Sequence, residues 1–164
     1  LKDDSSRDSF GVAHALADEI KSLGCEIAFF GKQSVDFDNS ITGQVTAELL
    51  GYNSVSVVVD FKLEGSKITA EREIEGGREV VETELPAIIT TQKGLNEPRY
   101  ASLKGIMASK KKTITEKAAA QSQKYSEIID MNLPASKQAG RILGTDSSAV
   151  AELVKLLREE AKVI

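Results

Sequence analysis

Apolar residues recur at helical spacing near the start of the chain. In "SFGVAHALADEIKSLG", Phe10, Ala13, Leu16, Ala17, Ile20 and Leu23 gather on one face of a 3.6-residue helix. Asp8 or Ser9 can cap its start, and Gly24 suits the left-handed residue that ends it. The next apolar run, "CEIAFF", is short and unbroken, which predicts a strand covered on both faces, as in a parallel sheet between helices. Cys25 is expected to be buried in that strand. A polar loop, "KQSVDFDNSITGQ", follows Gly31 and runs into a short helix, "TGQVTAELLG", closed by Gly51. The period then changes. "SVSVVVDFKL", "SKITAEREI" and "REVVETEL" are joined by the turn-forming "EGS" and "EGG", which predicts an antiparallel meander. Pro86 opens a last strand, "AIITT".

Beyond that strand, "GLNEPRYASLKGIMASKKK" sets Leu103, Ile106 and Met107 three and four residues apart, which gives them one face of a short helix. Ile106 and Met107 are expected to pack on the body. Leu103 differs, because it stands at the first turn after Pro98, where the chain is stiffened and cannot continue an earlier helix. The β-like "TITEK" and a polar stretch make a connecting arm. The end, "TDSSAVAELVKLLREEAKVI", reads as an amphipathic helix, with Val150, Leu153, Val154 and Leu157 in one stripe behind an Asp146, Ser147, Ser148 cap. The expected division is 1–112 for the α/β portion and 113–164 for the arm and terminal helix.

Composition narrows the function. The chain has 164 residues, 41% hydrophobic and 28% charged, enough for one real core. A formal charge of −4 excludes the net basic field of a nucleic-acid binder. No apolar run approaches the ~20 residues of a membrane span, and "LKDDSSRDSF" is not a signal peptide, so a cytoplasmic location is expected. Cys25 is alone, which leaves no disulfide framework within one chain. Leu1 stands where a methionine would, and the chain reads as a fragment of something longer. His14 has no nucleophile placed beside it by the sequence and is expected at a helix boundary rather than as a catalytic base. Asp36, Asp38 and Asn39 lack the glycine and distal glutamate of a calcium loop, so turn chemistry is their expected role. Neither a catalytic residue nor a metal site is expected.

The loop after Gly31 leaves the carboxyl end of a strand and enters a helix at Thr42 and Gly43, which is where open α/β sheets bind nucleotides. Free amides at the helix start, with the Thr42 hydroxyl, can hold a phosphate, and Gly43 permits close approach.

Three blocks, "GKQSVDFDNSITGQ", "AEREIEGGREVVETELPAIIT" and "GLNEPRYASLKGIMASKKK", together resemble the β subunit of electron-transfer flavoprotein over about Cys25 to Lys112. The middle block carries Arg72, Glu75, Gly76, Gly77, Glu79, Pro86 and Thr90 in the family's pattern. The resemblance implies a Rossmann-like adenine-nucleotide-binding sheet, partly parallel with an antiparallel meander, plus a C-terminal arm and helix packing on a partner subunit. It implies an electron carrier rather than an enzyme: a heterodimer whose α subunit holds most of the FAD, while the β subunit binds structural AMP. Electrons would arrive from acyl-CoA and related flavin dehydrogenases, in fatty acid β-oxidation, and leave to a quinone oxidoreductase. The AMP residues it implies are Gly31, Lys32, Gln33, Asp36, Asp38, Ser40, Thr42, Gly43 and Gln44. Ser40 and Ile41 stand where an Asn-Gln pair is common in the family, and Phe37 replaces a frequent acid. The loop departs from that of the bifurcating group, which holds a second FAD, so AMP is favoured. Residues 92–106 correspond to the dehydrogenase recognition loop, with Leu103 as its apolar anchor and Glu97, Arg99 and Tyr100 beside it. By alternation Glu73 shares a strand face with Glu71, which reads as a solvated face; the resemblance implies instead that Glu73 meets a basic group on the mobile flavin domain. The alternative is a stand-alone adenine-nucleotide-binding module of stress-protein type.

Overall fold

A computed structural model describes residues 1–3, 7–136 and 139–164. The first helix, α1, spans Ser9–Leu23, with Asp8 accepting the Gly11 amide as N-cap and Gly24 closing the end at φ 64°. Its buried face is made of small residues, Gly11, Ala13, Ala15 and Ala17, which lets it lie close against α2, Thr42–Leu50. Leu23, expected on that face, is exposed.

The strands are β1 (Ile27–Gly31), β2 (Asn53–Glu64), β3 (Lys67–Ile74), β4 (Gly77–Glu84) and β5 (Ala87–Thr91). They form one sheet in the order β1-β5-β2-β3-β4. β1, β5 and β2 run parallel, and β2, β3 and β4 form the antiparallel meander, so the sheet is partly parallel, as the sequence led us to expect. The core gathers Val55, Val58, Ile68, Ala70, Ala87 and Ile89, with Ile27, Phe61, Val81, Leu85 and Leu95 packed around it. α2 lies against β5 and β2.

Four local expectations are corrected. β1 is not covered on both faces: Phe29 is 53% exposed and stacks edge-on against Phe61 at 5.2 Å. Among the described residues β1 pairs only with β5, and nothing there covers the face that carries Phe29. Cys25 precedes the strand and is half-buried, because the turn after Gly24 consumes the residue before pairing begins. "TITEK" forms no strand, and pairing there is limited to an isolated parallel bridge between Lys2 and Ala118. In α3, Leu103–Ser109, Ile106 and Met107 do not pack on the body but remain exposed, because a seven-residue helix with no buried position has too little face to dock.

Residues 1–127 and 128–164 form two compact units. Within the first, the stretch 116–127 is strapped along α1. Asp8 accepts the Tyr125 and Ser126 amides at 2.7 and 2.9 Å, Lys117 pairs with Glu19, and Tyr125 stacks edge-on against Phe10. In the second, a 3-10 turn at Ser147–Ala149 lies between the Asp146 cap and α4, Val150–Glu159.

Candidate functional site

β1 and β5 end side by side, with Gly31 opposite Thr91. The Lys32 amide donates to the Thr91 carbonyl at 3.0 Å, and the Thr91 hydroxyl donates to the Phe30 carbonyl at 3.1 Å. Two loops therefore leave the same carboxyl edge of the parallel strands, 32–41 from β1 and 92–102 from β5. This is the position at which open α/β sheets take their ligands.

The first loop is organised by its own polar side chains. Ser40 donates its hydroxyl to Gln33 Oε1 at 2.7 Å, and the Asp38 amide donates to the Ser34 carbonyl at 3.0 Å. Asp36 accepts the Phe37 amide at 3.0 Å. Hydrogen bonding from the Ser34 hydroxyl, and then from that amide, holds the Asp36 carboxyl below its ordinary value. Asp38 and Ser40 take positive φ, 54° and 55°, a region that short polar residues enter more readily than branched ones. Asn39 donates to the Ser9 hydroxyl at 2.8 Å, which ties the loop to the start of α1.

α2 then begins at Thr42 behind Ile41, an apolar residue that supplies no side-chain cap. Its first amides thus keep the orphan donors that every helix start presents. Thr46 turns its hydroxyl back to the Thr42 carbonyl at 2.7 Å. Gly43 is buried, and a Cβ there would stand 2.4 Å from Thr90 Cγ2. The glycine is demanded by helix-to-sheet packing, whatever else the position does. Gln44 Oε1 is buried and has no hydrogen-bond partner among the described residues. Lys32, Ser40 and Thr42 are half-buried, while Gly31, Gln33, Asp36 and Asp38 are exposed.

On the other side of β5 lies a feature the alternation did not lead us to expect. The β2 register shifts between Val55 and Val58 and again between Val58 and Asp60, and Val57 sits at φ 62°. A β-branched residue at positive φ is a genuine outlier. Its amide donates to Thr90 Oγ1 at 3.2 Å, and the next carbonyl, Val58, accepts the Gln92 amide at 2.9 Å. Arg72 grips the same turn from β3: Nε donates to the Ser56 carbonyl at 3.1 Å, one terminal nitrogen to Ser56 Oγ at 3.2 Å and the other to Glu79 at 3.3 Å. The three consecutive valines at 57–59 break the strict alternation, and that was the available signal.

Glu73, singled out in the sequence, joins this edge through the Gln92 side chain, which donates to it at 3.5 Å. Its neighbour Glu71 takes Arg78 at 3.2 Å. In the second loop, Asn96, Glu97, Arg99, Tyr100 and Ser102 line an open recess. Ser102 caps α3 by accepting the Gly105 amide at 3.1 Å, and Leu103 follows at 78% exposure. Glu97, Arg99 and Tyr100 are fully on the surface. The structure therefore brings Gly31, Lys32, Gly43 and Glu73 to the end of β5, ties the loop 33–41 to itself and to the start of α1, and leaves Glu97–Leu103 exposed beyond the strand.

Comparison with known proteins adds lineage to this geometry. The electron transfer flavoprotein domain matches residues 2–122. An electron transfer flavoprotein subunit β from Syntrophomonas wolfei is 36% identical over 99% of this chain and 65% of its own length. Its counterpart from Bradyrhizobium diazoefficiens is 38% identical over 100% of this chain and 66% of its own, and that from Mus musculus 38% over 90% and 59%. The chain thus spans about two thirds or less of the relatives' length.

Proposed function

Because the chain belongs to the electron transfer flavoprotein family, we propose that it works as the β subunit of an electron carrier, holding a nucleotide at its first loop and a redox partner at its second. The observation that carries this reading is the shared edge: both loops leave the carboxyl ends of adjacent parallel strands.

The donor set fits AMP. α2 starts without a side-chain cap, and its free amides with the Thr42 hydroxyl form an anion seat. Gln44 Oε1, buried and unpartnered among the described residues, is an acceptor for a ribose or adenine donor. Asp36 has a different task. A carboxylate kept ionised by Ser34 and Phe37 repels phosphate, so it shapes the loop and leaves phosphate contact to Thr42, Gly43 and the backbone. Ser40 and Gln33 are already bonded to each other and fix the loop wall. Asp38, Lys32 and Gly31 complete it.

FAD, carried mostly by the α subunit, supplies the electron-transfer chemistry when bound. The β chain's own residues position partners. Leu103, with Glu97, Arg99 and Tyr100, docks flavin dehydrogenases of the acyl-CoA type, and Glu73 faces a basic group on the flavin domain. A quinone oxidoreductase takes the electrons onward. Among the described residues no helix is long and apolar enough to cross a membrane.

The test is co-expression of the full-length subunit with its α subunit, followed by a flavin spectrum and release of bound nucleotide by denaturation. Flavin absorbance in the pair with one AMP per heterodimer is expected. Thr42→Val removes a hydrogen bond to a charged group, roughly 1.5 to 3 kcal/mol, and should deplete AMP while leaving flavin in place. Full AMP retention in that variant would overturn the seat assigned to Thr42, and nucleotide bound by the β chain without any flavin partner would favour a stand-alone module.

A further inference from the structure

The strained turn in β2 sits between two groups that the function uses, and Arg72 is the side chain that holds it. Val57 at φ 62° is a conformation that a valine leaves unless its surroundings fix it. Three contacts do so. Thr90, fully buried, accepts the Val57 amide. Gln92 donates its amide to the Val58 carbonyl. Arg72 takes the Ser56 carbonyl and hydroxyl at once, with a second terminal nitrogen anchored on Glu79.

The turn also places its neighbours. Because the Gln92 backbone is bonded to Val58, the Gln92 side chain stands where its amide reaches the Glu73 carboxylate. Arg72 and Glu73 are adjacent in β3 and so point to opposite faces of the sheet. Arg72 therefore does not touch Glu73; it reaches that carboxylate through Ser56–Val58 and Gln92.

We infer that Arg72 is a positioning residue: its guanidinium clamps the strained Ser56–Val57 turn, and the turn holds Gln92 and Glu73 in the posture that meets a basic group on the redox partner. This rests on the reading of Glu73 as a partner contact. A lysine cannot replace the arginine, since only the guanidinium fork reaches a carbonyl, a hydroxyl and a carboxylate together. A glycine at 57 adopts positive φ without strain, so it makes the clamp dispensable.

The experiment uses the intact heterodimer and compares Arg72→Gln, Arg72→Lys, Glu73→Gln, Val57→Gly and the Val57→Gly/Arg72→Gln pair. Two readouts are taken: hydrogen exchange of the amides at 57, 58 and 92, and the salt dependence of electron transfer with a dehydrogenase. Arg72→Gln and Arg72→Lys are expected to speed exchange at those amides at least tenfold and to give the flattened salt response of Glu73→Gln. Val57→Gly in the Arg72→Gln background is expected to restore both. If Val57→Gly rescues neither, Arg72 acts by its own charge or by general stability, and the inference is overturned. Unchanged exchange in Arg72→Gln overturns it equally. A Glu73→Gln variant with wild-type salt response removes the partner contact instead, and in that case the exchange readout alone still decides whether the clamp exists.

Discussion

At the scale of single residues, two positions carry requirements that can be measured. Gly43 is the tightest. A methyl group there would meet Thr90 Cγ2 at 2.4 Å, and Thr90 is fully buried between the sheet and α2. Overpacking of this kind costs about 1 to 3 kcal/mol, more than the helix-propensity gain of alanine over glycine, ~1 kcal/mol. Gly43→Ala should therefore lower stability in a denaturant titration. Thr90→Ser removes the clashing methyl and keeps the hydroxyl that binds the Val57 amide, so the double variant should recover part of the loss; additive losses would mean that the clash is not the cause. Asp8 carries the second requirement. Its carboxyl is held below 3.8 first by the Gly11 amide, then by those of Tyr125 and Ser126. A depressed carboxyl adds stability above the unfolded value near 4 and loses it as pH falls through the lower folded value. The strap 116–127 should loosen in that acidic window, read as falling protection of the Tyr125 and Ser126 amides relative to the intrinsic exchange rate at each pH, and Asp8→Asn should abolish that change in protection. Protection that stays constant across the acidic window in the parent protein would remove Asp8 as the tether.

At the scale of elements, periodicity made most of the fold legible. The bounds of α1, the glycine ends at 24 and 51, the "EGS" and "EGG" turns and the Pro86 strand start all lie where local chemistry put them. What was not legible depended on neighbours. An unbroken apolar strand reads as covered on both faces, yet Phe29 in β1 is 53% exposed, because periodicity reports how apolar a strand is and not what packs against it. The bulge at Val57 comes from pairing with two partners at once, β5 on one side and β3 on the other, a constraint absent from the β2 segment taken alone. In the candidate site, Thr42 and Gly43 were legible as a helix start behind a strand, whereas the packing demand on Gly43 and the clamp by Arg72 needed the third dimension. α3 shows the same limit. Its three apolar residues share a face, yet all are exposed, Leu103 most of all. This makes the element testable. Leu103→Ala should change stability by less than about 0.5 kcal/mol, as for a surface substitution, while weakening dehydrogenase docking about ten- to a hundredfold, the equivalent of one fully buried leucine, roughly 1.5 to 3 kcal/mol. Loss of stability on the scale of a core leucine, with normal docking, would assign the residue to packing instead.

At the scale of the whole molecule, charge and apolar surface are unevenly shared. The chain is net negative at −4, yet residues 92–112 hold six cationic side chains, Lys93, Arg99, Lys104, Lys110, Lys111 and Lys112, against Glu97 as the lone acid. Such a patch around an exposed leucine steers an acidic partner more than it binds one, so the association rate with a dehydrogenase should fall steeply with added salt. The unit 128–164 adds a different kind of surface. α4 has no buried residue, and its stripe of Val150, Leu153, Val154 and Leu157 ranges from half-buried to exposed. Ile129, Leu133 and Ile142 are nearly fully exposed. Under the proposed function, these exposed apolar side chains are the surface this unit offers to the α subunit. Local contacts order the approach to α4: Asp146 caps the preceding 3-10 turn by accepting the Ser148 amide at 2.8 Å, and Arg141 pairs with Glu152 of α4 at 2.6 Å. Placing aspartates at Leu153 and Leu157 should therefore leave the melting of residues 1–127 unchanged and weaken heterodimer formation. Two leucines lost from an interface, each worth about 1.5 kcal/mol or more, correspond to at least about a hundredfold in Kd. Sedimentation of the two purified subunits across a concentration series would measure it. Undiminished assembly by the double aspartate variant would show that the stripe serves another surface.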